Sequence, residues 1–143
     1  MSTNVQWSRM NSVFDINAIA KRFPDSAETM LVDTRLTDEQ EASSRVFRIY
    51  TIVPAHYHAT CDEYLFVVSG RCMFSMGEKE PFEAGPGQLV FFKKGTVHAI
   101  VPIGEEPLVF LSVDTPRRDP TDVIFVNPAD GTPETFIQTK KLY

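Results

Sequence analysis

The chain is poor in the residues that usually build reactive sites. It has three histidines, two cysteines and one tryptophan among 143 residues. Two cysteines, Cys61 and Cys72, are too few for a disulfide framework. They read as reduced, buried thiols acting as small hydrophobes. There is no basic excess: 14 Lys and Arg stand against 19 Asp and Glu, a net charge of −5. That balance argues against nucleic acid as a partner. No apolar run has the roughly 20 residues that cross a bilayer as a helix. The N-terminus lacks a charged segment followed by an apolar one. The expectation is a cytoplasmic protein with no nucleic-acid and no membrane partner. P-loop and dinucleotide fingerprints are absent, and no Ser-His-Asp arrangement can be read.

What remains is an ordinary globular composition, 43% hydrophobic and 23% charged. The length suits one domain, residues 1–143, with a single core. Residues 1–12 are polar and read as an arm. Asp15 is placed to cap a short helix over Ile16–Arg22, with Lys21-Arg22 in its last turn and Pro24 beyond it. Thereafter the chain is strand and turn. Strands are predicted near 29–36, 45–53, 55–59, 63–68, 71–76, 89–93, 96–101, 107–113, 123–127 and 135–140. They are short, rich in Val, Ile and Phe, and punctuated by Gly and Pro. Such a series predicts an all-β sandwich or barrel.

The histidines are not scattered. His56 and His58 stand two apart, Glu63 follows five later, and His98 is the third. Alternate side chains of a strand share a face, so His56 and His58 point the same way and can share one metal ion. Glu63 leads into the apolar run Tyr64–Val68, and a carboxylate there is costly unless paired or metal-bound.

A two-residue turn at Ser69-Gly70 would pair Val68 with Arg71. Val67 would then face Cys72, Leu65 would face Phe74, and Glu63 would face Met76. The expected substrate pocket is therefore walled by Leu65, Val67, Phe74 and Met76. Arg48 and Tyr50 share the parity of His56. They are expected to join that pocket if the strand continues through Pro54, Arg48 to grip an anion and Tyr50 to offer a phenol.

In these spacings the chain resembles the cupin superfamily. His56, His58, Glu63 and Gly70 fit the family's first motif, and Gly87, Gly95 and His98 fit its second. Tyr50, Lys93 and Pro102 stand where the motifs carry Gly, Pro and Asn. The likeness covers about residues 44–113 and extends to small stand-alone bacterial members. It implies a double-stranded β-helix, or jelly-roll barrel, with a short N-terminal helix. It also implies one divalent transition metal (iron, manganese, nickel, zinc or copper) held by His56, His58, Glu63 and His98.

On a five- or six-coordinate ion, four protein ligands leave one or two positions open, as catalytic metals require. The leading expectation is an iron(II)-type dioxygenase acting on a small organic molecule in an apolar barrel pocket, with Glu63 as ligand and potential base. A non-redox isomerase, lyase or sugar-modifying enzyme is the alternative, and a non-catalytic ligand-binding protein the third. A homodimer is expected, because terminal segments 28–36 and 135–140 could extend a neighbour's sheet. Residues 114–122 are expected as a loop over or beside the barrel.

Overall fold

The computed structural model describes residues 7–143. Residues 1–6 of the expected arm lie outside these; from Ser8 onward it touches the barrel, Ser8 N donating to the Leu36 carbonyl at 3.2 Å. The Asp15 carboxylate accepts from Ala18 N at 3.0 Å. This satisfies a free donor of the first helical turn, and α1 runs Ile16–Ala20. The helix stops before Lys21-Arg22, so that pair lies past the last turn rather than in it.

Eleven strands are present among the described residues: β1 (Leu31–Asp38), β2 (Ser43–Ile49), β3 (Val53–Tyr57), β4 (Asp62–Ser69), β5 (Arg71–Met76), β6 (Phe82–Ala84), β7 (Leu89–Phe92), β8 (His98–Ile103), β9 (Leu108–Thr115), β10 (Ile124–Phe125) and β11 (Ile137–Thr139). A four-residue helix, α2 (Pro133–Phe136), precedes β11. The Thr132 and Thr135 side chains form its capping box, and Pro133 begins it. Those local bonds are why a turn of helix replaces the start of the strand expected at 135. No helix among the described residues is long and apolar enough to cross a membrane.

The strands form two sheets, ordered β11-β1-β2-β9-β4-β7 and β10-β3-β8-β5-β6, closed face to face as a jelly-roll barrel. Along β2, Phe47 and Ile49 join the core between the sheets, whereas Val46 packs outside, under Ile19 and Phe23 of the α1 region. That alternation is what a strand covered on both faces needs. The segment at 135–140 does not stand free: β11 pairs in parallel with β1 of the same chain.

Two expectations are corrected. β4 and β5 are not a hydrogen-bonded hairpin. β4 pairs with β7 and β9, and β5 with β6 and β8, in different sheets. The inward faces were correctly assigned, but they meet across the barrel rather than side by side. Gly70 makes the corner, with φ +79° and a Cβ position only 2.6 Å from the Pro107 carbonyl oxygen. The second correction is the strand from 45 to 53, which breaks after Ile49 and resumes at Val53.

Candidate metal centre

A bulge brings the histidines inside. Val53 pairs with Ile100 and His56 with His98, so three steps along β3 match two along β8. An extra residue inverts parity beyond it. Odd residues of β2, and Val53, face the core; past the bulge the even residues His56 and His58 do. Glu63 reaches in from β4 on the opposite sheet. The three histidines and Glu63 are only 2–3% exposed. The His56 and His98 rings lie 4.1 Å apart, and His58 is 5.3 and 5.1 Å from them. Their potential ligand atoms all fall within 4.8 Å of one another, so the cluster could hold a metal ion.

Backbone carbonyls orient each ring. Nδ1 of His56 lies 2.7 Å from the Pro54 carbonyl oxygen. Nδ1 of His58 lies 2.6 Å from that of Asp122, and Nδ1 of His98 lies 2.9 Å from that of Thr96. A carbonyl only accepts, so each Nδ1 carries a proton, which leaves the Nε2 atoms as the candidate ligands. Burial, with the neighbouring histidines, holds His56 well below its ordinary pKa and His98 at about 4. Both are neutral near pH 7, as metal ligands must be.

Glu63 divides its two oxygens. Oε2 accepts from Arg45 Nη2 and from Ser112 Oγ, each at 3.0 Å. Oε1 is 3.4 Å from His58 Nε2 and 3.9 Å from His98 Nε2. Burial pushes the Glu63 carboxyl upward. His58 and the Arg45 and Arg118 guanidinium groups outweigh it and hold the group well below the usual carboxylate range. Arg45 also lies 3.6 Å from Asp33 Oδ2 and 3.5 Å from Asp114 Oδ2, in a cluster no more than 2% exposed. Asp114 is pushed up by burial and by the charge of Glu63. Arg45 was missed in the sequence. Its signal was there: it alternates with Phe47 and Ile49, which any core-facing reading of β2 would place inward.

The remaining wall is Leu31, Phe47, Val53, Leu65, Ile100 and Phe136. They leave a cavity of about 10 Å³, room for one water-sized particle. Of the expected pocket residues, Leu65 alone lines this cavity. The Phe74 ring stacks 6.3 Å from that of His98, Val67 packs in the same core, and Met76 packs against that core and pairs with His98. The pocket is filled, as small barrels often are.

Arg48 and Tyr50 are not part of it. They lie on the outer face, Arg48 4.8 Å over the Tyr50 ring, and the Tyr50 hydroxyl donates to the Pro24 carbonyl at 2.7 Å. The parity count failed because the strand breaks at 50–52 and the bulge follows.

The loop at 114–122 buttresses the site. Arg118 is 1% exposed, its Nη1 2.9 and 3.1 Å from the two ring nitrogens of His58. Near-equal distances put the guanidinium against the ring face. The Asp122 carboxylate accepts from Ala59 N at 2.8 Å, Thr60 N at 3.0 Å and Thr60 Oγ1 at 2.6 Å. From the second motif, Gly95 N donates to the His58 carbonyl at 2.7 Å. Cys61 and Cys72 are free and buried, and burial pushes their thiols to about 12 and about 11. Neither is set up as a nucleophile.

A cupin domain profile matches residues 49–114. Among solved structures, a double-stranded β-helix protein from Klebsiella pneumoniae subsp. pneumoniae MGH 78578 aligns with TM-score 0.63 at 19% identity, over 76% of this chain and 92% of that one. BH2720 from Bacillus halodurans aligns with TM-score 0.65 at 19% identity, over 82% and 89%. These two likenesses show the fold. The DMSP lyase DddQ from Ruegeria pomeroyi DSS-3 aligns with TM-score 0.54 at 26% identity, over 63% of this chain and 45% of that one. No curated protein matches by sequence.

Proposed function

Because residues 49–114 of this chain form a cupin domain, and its three histidines converge at the barrel centre, we propose that it is a metal-dependent enzyme acting on a small organic molecule, with iron(II)-type oxygenase chemistry favoured. His56, His58 and His98 would hold the ion through Nε2, and Glu63 through Oε1. A redox-active ion there would supply activation of dioxygen toward an oxidisable substrate. The chain's own part is to fix the ligands, exclude water and present apolar walls.

The observation that carries this reading is the lining of the cavity. Besides the four proposed ligands it holds Leu31, Phe47, Val53, Leu65, Ile100, Phe136 and Arg45. Arginine does not release its proton, so Glu63 is the one group there able to take a proton while the histidines hold a metal. Elimination or isomerisation needs a general base at the substrate; oxygen insertion places less demand on one. A second reading is a non-redox lyase in which Glu63 leaves the metal to act as that base. The 26% likeness to DddQ, a DMSP lyase, favours it.

Iron-loaded protein should consume oxygen in stoichiometric step with loss of one member of a panel of small aromatic and diketone compounds. Zero-oxygen turnover of any panel member would overturn the oxygenase reading and favour the lyase.

A further inference from the structure

Every wall of the small cavity but one is built on the barrel strands or next to them. Leu31, Arg45, Phe47, Val53, Leu65 and Ile100 sit on β1, β2, β2, β3, β4 and β8. Phe136 alone comes from the short α2, in the segment that crosses the barrel mouth from β10 in one sheet to β11 in the other. Its ring is 3% exposed and lies 5.2 Å from the His56 ring and 6.0 Å from that of Phe125. The segment is tied down lightly. β10 has two residues and β11 three, and Met30 N donates to the Thr135 carbonyl at 3.0 Å. On its outer side a crevice of about 370 Å³ runs between Met30, Thr51, Gly131 and Thr135, so there is space beside the strap into which it can shift.

An organic molecule cannot enter about 10 Å³. Moving a strand wall would break sheet hydrogen bonds, whereas moving Phe136 breaks few. What Phe136 vacates is a ring-shaped space bordered by His56 and Phe125, with the Arg118 guanidinium 5.8 Å from the ring centre, and continuous with the cavity lined by Leu31, Phe47, Val53, Leu65 and Ile100. We propose that the Phe136 ring stands in the place of the ligand's apolar body. The native ligand is a small molecule with one metal-binding O or N atom joined to an apolar group of about phenyl size, and it displaces Phe136 on entry. The identity of the donor atom rests on the metal reading above; the ring-shaped space does not.

The test uses Phe136→Ala, with Phe136→Val in its place should the alanine variant not fold. Metal-free variant with wild-type circular dichroism should melt several degrees higher in saturating benzene, while the wild type is unmoved; apolar voids of ~150 Å³ take up benzene. In cobalt-loaded protein, the visible spectrum should report 4-phenylimidazole binding at least tenfold tighter in the variant, because the native ring no longer competes. A folded variant with no benzene shift, or equal 4-phenylimidazole affinities, overturns the proposal. Failure of both proteins to take up cobalt overturns the metal reading instead and leaves the benzene measurement to decide the role of Phe136.

Discussion

Arg45 Nη2 donates to Glu63 Oε2 at 3.0 Å, and this bond turns the other oxygen of Glu63 toward the histidines. The guanidinium is one residue's answer to three buried carboxylates, since Asp33 and Asp114 also flank it. Burial lowers its pKa, but Asp114, Glu63 and Asp33 more than restore it, so it stays charged.

Arg45→Ala should therefore destabilise the fold by about 3–5 kcal/mol, the cost of leaving buried charges unpaired. Urea denaturation of the metal-free protein measures this. Ser112→Ala removes one neutral donor from the same oxygen and should cost about 1–3 kcal/mol. A loss below about 1 kcal/mol for Arg45→Ala would contradict the pairing.

Asp122 acts on the site through the turn that carries His58. Burial would raise its carboxyl, but the bonds from Thr60 and Ala59 outweigh this and lower it. Asp122→Ala keeps the backbone carbonyl that orients His58 and loosens the turn at 59–60. Metal affinity should fall about 10–100-fold, as it does for partners one step behind metal ligands. Competition with a chelator reads the change, and unaltered affinity would remove Asp122 from the site.

Acid should weaken the metal-free protein in a defined window. His98 has a folded pKa of about 4, below its unfolded value near 6.5. His56 is shifted in the same direction. Between those values the unfolded chain binds more protons than the folded one, so stability falls as pH falls. Each pKa unit of separation corresponds to about 1.4 kcal/mol. Melting temperatures should be level above about pH 7 and decline steadily from about pH 6.5 to 4. Replacing His98 with Gln should flatten the slope.

The Gly70 corner should not accept a side chain. A Cβ there would meet the Pro107 carbonyl oxygen at 2.6 Å and Leu108 Cα at 2.7 Å, at a φ of +79°. Gly70→Ala should cost about 2 kcal/mol or more, measured by the urea midpoint. A neutral result would mean that the β4–β5 corner is free to move.

The sequence revealed the spacing of the histidines and Glu63 and most strands because both depend on local pattern. Two-residue alternation put His56 and His58 on one face, and Glu63, Leu65 and Val67 did point inward. What it concealed depended on long-range closure. The bulge between Val53 and His56 leaves no composition mark, so counting parity back to Arg48 and Tyr50 chose the wrong face and passed over Arg45. The sheet switch at Gly70 looked like a hairpin because a corner and a tight turn call for the same residue. Phe136 lies almost 40 residues beyond His98, and only the pairing of β10 with β3 and β11 with β1 brings it over the site.

His56, His58, His98 and Glu63 are expected to hold one metal ion. The most direct test is the metal content of anaerobically purified protein measured beside folded His58→Ala. Close to one transition-metal ion per chain is expected, lost in the variant. No bound metal in the wild type, even after incubation with iron(II), manganese(II) and zinc(II), would contradict it.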